Sequence, residues 1–153
     1  MSYSVCRKLR FHLCEASGER VATSALLTAE ACRRVIALTD AARWDGGGDY
    51  AYATRDVEVD ACEPLRAFLL SVGFVGRIAA RIEWAHGRTI AAFDDLFVVR
   101  YDSAEQRELP KHVDGGDVSF MVALSDASEY DGGGTRFERL GSTLHLASLH
   151  RVL

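Results

Sequence analysis

The stretch from Leu109 to Asp117, LPKHVDGGD, contains two side chains whose types and spacing could bind a metal ion. His112 and Asp114 lie two positions apart, between a proline and a pair of glycines. In a strand, residues i and i+2 lie on the same face, so both side chains could reach one ion while Val113 points away. An imidazole and a carboxylate, completed by a second imidazole, form the ligand set that suits non-heme Fe(II) and leaves three positions open. The spacing alone is a weak signal, because polar strand ends often carry such a triplet by chance.

Composition limits the classes of protein to consider. The 153 residues fit one domain, and 48% hydrophobic with 26% charged residues is typical of a globular chain. The net charge of -4 gives no basic face for a nucleic-acid backbone, and we interpret the cluster RKLR at 7–10 as a solvated edge. No apolar run approaches the roughly 18 residues that span a bilayer, and the N-terminus lacks the apolar core of a secretory signal. We therefore expect a cytoplasmic protein with no membrane or nucleic-acid partner.

Two further kinds of metal or redox site are disfavoured. Neither DGGD nor DASEYDGGG fits a calcium-binding EF-hand loop. The four cysteines show no C-x-x-C pair and no histidine at zinc-finger spacing, so they are predicted to be free thiols. We expect Cys32, inside a helical apolar pattern, to be a small core residue.

The elements that position the H-x-D triplet are helices first and strands later. Apolar residues at helical spacing predict one amphipathic helix from Thr28 to about Ala42, and a second that Pro64 opens and that runs to Ile82, with bends at Gly73 and Gly76. Residues 50–59 suggest a strand with a kink at Arg55 and Asp56.

After these helices the pattern changes to a period of two. The segments FVVRY (97–101) and VSFMVAL (118–124) are the clearest strands, rich in β-branched and aromatic residues. The order predicts an α+β architecture with helices on one face of an antiparallel sheet.

Residues 97–138, FVVRYDSAEQRELPKHVDGGDVSFMVALSDASEYDGGGTRFE, resemble the catalytic half of the Fe(II)/2-oxoglutarate-dependent dioxygenases related to the prolyl 4-hydroxylase alpha subunit. The similar features are an aromatic-rich strand ending in RYD, then LP, the H-x-D, SF with an apolar strand, and YDGGGTRFE. TRDVEV and the helix after Pro64 are also placed as in that family. The resemblance covers roughly residues 50–140, counted on the printed sequence.

The resemblance implies a double-stranded β-helix, the jelly-roll or cupin-like barrel, in a single domain spanning 1–153, with helical support at about 26–85 and the β-helix at about 91–153. It makes His112 and Asp114 two iron ligands. Tyr101 would line the pocket and donate to bound 2-oxoglutarate, although a tyrosine whose hydroxyl lies in water fits its position equally well. The glycines at 132–134 would form a tight turn that lets Thr135 and Phe137 enter the next strand, with Phe137 a core residue.

The chemistry implied by the resemblance is an oxygenase reaction. Its cofactors are Fe(II) and 2-oxoglutarate, with ascorbate keeping the iron reduced. Decarboxylation of the keto acid to succinate and carbon dioxide would accompany hydroxylation of a peptide or small-molecule substrate.

The C-terminal part departs from the family pattern. A third ligand should be a histidine on a later strand, followed by an arginine or lysine that pairs with the far carboxylate of 2-oxoglutarate. Only 41 residues follow His112, and His145, His150 and Arg151 do not stand in the family's setting. We therefore expect a barrel incomplete at the C-terminus, through truncation or completion by a partner, and weak or absent turnover.

Two classes of function stay open. The first is the oxygenase, favoured by His112, Asp114 and Tyr101. The second is a non-catalytic binding or regulatory module of the same fold, favoured by the unmatched third ligand. The loops carry no motif that identifies a substrate, and the oligomeric state is not indicated.

Overall fold

Three helices and seven strands make up the regular structure in the computed structural model, which describes residues 5–11, 26–46, 54–87, 89–93, 95–114, 118–138 and 141–145. In chain order these elements are β1 (Val5–Phe11), α1 (Ala29–Asp40), β2 (Asp45–Gly46), β3 (Arg55–Glu58), α2 (Glu63–Ser71), α3 (Phe74–His86), β4 (Phe97–Asp102), β5 (Phe120–Ala123), β6 (Thr135–Phe137) and β7 (Ser142–Leu144), with a short 3₁₀ turn at Ala127–Glu129.

Helix α1 confirms the prediction from the apolar periodicity. Thr28 caps it: its side-chain oxygen accepts a hydrogen bond from the backbone N–H of Ala31 at 3.1 Å. Cys32 and Val35 face the core, and Cys32 is a free, buried thiol as predicted. Burial raises the pKa of this thiol to about 11, although the neighbouring Arg33 charge opposes the shift. Cys62 is also free; the side chain of Cys6 and the whole of Cys14 lie outside the described residues.

The prediction of one bent helix after Pro64 is wrong, because α2 and α3 are separate. Pro64 does lie in the first turn of α2, where its missing N–H breaks no helical hydrogen bond. Gly73 then adopts a left-handed conformation with φ of 64°, which ends one helix and precedes the next. Gly76 lies inside α3. A change of direction at Gly73 lets each helix turn its own apolar face to the core.

Among the described residues, the larger sheet has five strands in the order β2-β3-β4-β1-β5, with every pair antiparallel. The interpretation of residues 7–10 as a solvated edge is wrong in one respect: they lie in β1, which pairs with β4 on one side and β5 on the other. The four-residue cluster is short and charged, so its sequence gives no period-two signal.

The remaining strand predictions are confirmed with changed bounds. The strands 97–101 and 118–124 correspond to β4 and β5. The strand expected over 50–59 is β3, and the expected kink is absent from it, since Arg55 and Asp56 lie within the strand and Asp56 pairs with Val99. Residues 50–53 lie outside the described part of the chain.

The helices cover one face of this sheet. Val57 and Val98, which are cross-strand partners, join Val122 in a core with buried residues of the helices: Cys32, Val35, Leu65, Leu69, Phe74, Ile78 and Ile82. The second face carries Phe97, Val99 and Met121, because side chains alternate along a strand. Thr135 of β6 directs its hydroxyl at the Met121 sulfur at 3.9 Å, so the start of the small β6-β7 sheet lies on this second face.

The predicted α+β class with antiparallel sheets is therefore confirmed. Among the described residues, the two sheets do not close into a barrel. None of the helices that the structure describes is both long and apolar enough to cross a membrane.

Candidate metal centre

His112 and Asp114 come together in the loop between β4 and β5. The His112 Nε2 atom lies 3.1 Å from Asp114 Oδ1, and the two side chains are 23% and 20% exposed. The expectation that they occupy a strand is wrong, since residues 112–114 have no strand conformation. The i, i+2 spacing nevertheless brings both side chains to one point, because this segment projects them to the same side while Val113 is 83% exposed.

The hydrogen bond at Nδ1 of His112 determines which ring nitrogen carries a lone pair when the ring is neutral. Nδ1 lies 2.7 Å from the backbone oxygen of Pro110. A carbonyl oxygen only accepts, so Nδ1 carries the proton of the neutral ring and Nε2 is an acceptor. Nε2 and the Asp114 carboxylate are then two acceptors facing each other at 3.1 Å. An N–H at Nε2 would donate to Oδ1 at this distance, and a metal ion placed between the two atoms would be bound by both.

A divalent cation fits this pair of atoms. Metal–ligand bonds of about 2.1 Å at a right angle place two ligand atoms about 3.0 Å apart, close to the observed separation. An imidazole nitrogen and a carboxylate oxygen together suit iron and similar transition metals. The chemistry of the donor set is therefore compatible with two of the three ligands of a facial triad.

Ser119 also belongs to this group, although no sequence pattern predicts a role for it. Its hydroxyl donates to Asp114 Oδ2 at 2.6 Å. Ser119 stands just before β5, and its neighbours Val118 and Phe120 pack in or against the helical core. A hydroxyl five positions after a candidate ligand is not a spacing that sequence patterns single out, because the contact depends on the path of the chain between them.

Two groups of contacts hold the loop that leads to the pair. Asp102 Oδ1 accepts from the Ala104 backbone N–H at 2.7 Å, and this bond, aided by Arg100 at 3.0 Å, lowers the pKa of the Asp102 carboxyl. Gln106 accepts from the backbone N–H of Arg55 at 2.7 Å, which fastens the loop to β3.

The second group of contacts that hold the loop lies directly beside His112 and Asp114. Lys111, adjacent to His112, forms an ion pair with Glu138 at the end of β6. The hydrogen bond from Lys111 lowers the pKa of the Glu138 carboxyl. The loop is therefore connected to both sheets.

The position of a third ligand is not given by the described residues, among which no group of three histidine, cysteine, aspartate or glutamate side chains could hold a metal. His145 is exposed and lies over Gly134, where a Cβ would stand 2.8 Å from the ring. It follows β7 on the face of the hairpin opposite to Thr135, because neighbouring positions alternate. His150 and Arg151 lie outside the described residues.

Tyr101 and Ser119 lie at opposite ends of the larger sheet. Phe97 and Met121 are level with each other, because both pair with Arg10. Tyr101 lies four residues after Phe97 and Ser119 two before Met121, so their α-carbons are roughly 20 Å apart along the strands at 3.3 Å per residue. The role of Tyr101 as a 2-oxoglutarate contact stays a prediction, and this separation allows it to be tested apart from the metal ligands.

The glycine turn at 132–134 confirms its predicted structural role. Gly132 and Gly133 have φ of 81° and 72°, and β6 begins at Thr135 directly after Gly134. A side chain at Gly133 would also meet the Tyr130 ring at 2.5 Å. The expectation that Phe137 is a core residue is not confirmed, since its side chain in β6 is only half-buried and it is not part of the buried core cluster.

Comparison with protein-family models, curated proteins and solved structures found no match to this chain. The dioxygenase resemblance therefore remains a prediction that depends on the quoted residues, and the geometry of the pair must support any functional proposal independently.

Proposed function

We propose that this chain is an oxygenase domain of the Fe(II)/2-oxoglutarate-dependent type, with His112 and Asp114 as two iron ligands. The observation that carries the proposal is the apposition of His112 Nε2 and Asp114 Oδ1 at 3.1 Å, with Nδ1 already engaged by the Pro110 carbonyl. With Nδ1–H donating to the Pro110 carbonyl, a neutral ring directs its Nε2 lone pair toward the carboxylate, which is the state that a metal ligand requires.

Each residue of the pair would have a separate task. His112 would bind the metal through Nε2 while Pro110 fixes the ring orientation, and Asp114 would bind through Oδ1. Bound iron, with the keto acid, would supply the activation of dioxygen. His150 and Arg151 are the residues we propose to examine as third ligand and as anchor of the keto acid; this part of the proposal rests on the sequence alone.

The fold that we propose is the double-stranded β-helix, with the five-stranded sheet as one wall. Two features support it: all strand pairs are antiparallel, and β1, β4 and β5 are neighbours in the sheet without being consecutive in the chain. The β6-β7 hairpin would belong to the opposite wall, since Thr135 contacts Met121 on the face away from the helices. A peptide or small-molecule substrate, ascorbate as reductant and a cytoplasmic location stay predictions.

Anaerobic titration of the purified chain with Fe(II), with and without 2-oxoglutarate, tests the proposal. We expect Fe(II) to raise the melting temperature, and a weak visible charge-transfer band to appear only when both are present. His112→Ala and Asp114→Asn should abolish both effects. His145→Ala is the matched control, because His145 lies at the outer face of the hairpin, and it should bind as the parent chain does.

Two further variants distinguish a residue that binds iron from a residue that contacts the keto acid. Tyr101→Phe should leave the Fe(II)-induced shift intact and weaken the charge-transfer band only if Tyr101 contacts 2-oxoglutarate. His150→Ala should abolish Fe(II) binding if His150 is the third ligand. A folded parent chain that binds no Fe(II) would overturn the proposal and leave a non-catalytic binding module as the alternative; coupled succinate formation measures turnover.

A further inference from the structure

The two oxygens of the Asp114 carboxylate have different neighbours. Oδ1 faces His112 Nε2 at 3.1 Å, whereas Oδ2 accepts the hydroxyl of Ser119 at 2.6 Å. A carboxylate that rotates about its Cβ–Cγ bond can present either oxygen, or both, to a cation. The O–H···O⁻ distance lies in the range of strong charge-assisted hydrogen bonds, so this contact opposes such a rotation.

Ser119 can hold the carboxylate because its own position is fixed by the core. Val118 is 8% exposed, and Phe120 begins β5 and packs against Phe74 with ring centroids 6.2 Å apart. Phe120 also pairs with Phe11 of β1. The backbone of Ser119 is therefore held between two packed residues, and its exposed side chain reaches Asp114 and connects the loop that carries this carboxylate to the sheet.

We propose that Ser119 is a positioning residue that restricts Asp114 to binding a divalent cation through Oδ1 alone. This inference rests on the proposed function, since it concerns the same pair of ligands. With Oδ2 occupied by the hydroxyl, the carboxylate takes one coordination position rather than two. The coordination position that Asp114 does not occupy stays available to a second, chelating ligand. His112 is held in the same manner by Pro110, so a hydrogen bond orients each of the two ligands.

Titration with Co(II), a visible reporter of coordination number, tests the role without requiring turnover. Ser119→Ala should weaken Co(II) binding by about tenfold, the lower end of the effect of losing an outer hydrogen bond to a metal ligand. Ser119→Thr retains the hydroxyl and should restore binding to within about threefold of the parent. Ser71→Ala removes a hydroxyl that donates to a backbone oxygen within α2, and serves as the matched control.

A second readout responds to the coordination mode and not to the fold. Oxalate, a bidentate anion, is added to each Co(II)-loaded protein and the absorption spectrum is followed. The parent and Ser119→Thr should bind oxalate with a common spectral change. Ser119→Ala, with a carboxylate free to bind through both oxygens, should give a different starting spectrum and weaker oxalate binding.

The outcomes distinguish this inference from the proposed function. Equal Co(II) affinity, spectrum and oxalate binding in the parent and in Ser119→Ala would overturn the role of Ser119 while leaving the metal site in place. Weakened binding in Ser119→Ala that Ser119→Thr does not restore would also overturn it, because a hydroxyl-dependent role requires rescue. A parent chain that binds neither Co(II) nor Fe(II) would overturn both.

Discussion

Truncating the Phe74 side chain should destabilise the protein more than a substitution at any exposed position of α2 or α3. Phe74 is the first residue of α3, is fully buried, and packs against Phe120 of β5 at 6.2 Å between ring centroids. It therefore joins the helical layer directly to the strand that follows the candidate metal centre. We predict that Phe74→Ala weakens both the packing of the layers and the position of β5.

The expected loss can be worked from the burial. A buried phenylalanine covers about 150–250 Å² and alanine retains only part of it, so about 120 Å² of lost apolar burial costs about 3 kcal/mol at 25 cal/mol per Å². The cavity that remains adds to this, which gives about 3–5 kcal/mol in total. Phe74→Leu keeps most of the volume and should cost about 1–1.5 kcal/mol.

Urea denaturation followed by circular dichroism measures these losses. The matched control is Leu70→Ala on α2, because Leu70 is 61% exposed, and it should change the unfolding free energy by about 0.5 kcal/mol or less. If Phe74→Ala unfolds the chain outright, Phe74→Leu still supplies a measurable value. A Phe74→Ala protein within about 1 kcal/mol of the Leu70→Ala protein would refute the packing of α3 on β5.

Three further predictions concern the helix break and two titratable groups. Gly73→Ala should destabilise by about 1 kcal/mol because its φ of 64° strains a side chain, whereas Gly76→Ala, inside α3 with open space around it, should stabilise by about 0.5–1 kcal/mol in the same urea assay. Cys32 should resist alkylation at pH 8 while the half-buried Cys62 reacts, as measured by peptide mass spectrometry, because burial raises the Cys32 pKa to about 11. A hydrogen bond from the Ala104 backbone amide lowers the pKa of the Asp102 carboxyl below its usual 3.8, so the stabilisation by its charge is present at neutral pH and is lost as the pH falls through the lowered value. Asp102→Asn should therefore destabilise at pH 7, and its effect should shrink progressively as the pH is lowered below 3.8.

A specific result would contradict each of these three predictions. Equal effects of alanine at the two glycines would place the bend elsewhere. Alkylation of both thiols at one rate in the folded chain would show that the Cys32 thiol is not buried. A destabilisation by Asp102→Asn that stays constant as the pH is lowered would mean that the charge of this carboxylate contributes nothing to stability.

The sequence was most informative where structure depends on neighbouring residues. The cap at Thr28, the apolar spacing of α1 and the proline at the start of α2 are local signals, and each placed its element to within a few residues. The split at Gly73 was wrongly predicted as a bend within one helix, because a glycine is compatible with both a bent helix and a break. The left-handed conformation that decides between them depends on how α2 and α3 pack.

The candidate metal centre was likewise predictable from the sequence only in part. The i, i+2 spacing was enough to propose that His112 and Asp114 meet, because so short a segment can project both side chains to one side. The proton position on His112 and the hydrogen bond from Ser119 depend on the path of the loop, which no spacing rule describes. Tyr101 was assigned by resemblance alone, and the register of β4 and β5 places it at the other end of the sheet from Ser119.

What the sequence by itself determined is therefore the α+β class, the positions of α1, of the start of α2 and of strands β4 and β5, and the identity of a candidate metal-binding pair. Only the tertiary structure decided that β1 lies between β4 and β5, with Val5 paired to Asp102 and Phe11 to Phe120. The physical reason is that helical hydrogen bonds join residues four apart, whereas a strand finds its partner wherever backbone groups and buried faces match best. That choice depends on the whole chain, and it fixes where Ser119 holds Asp114.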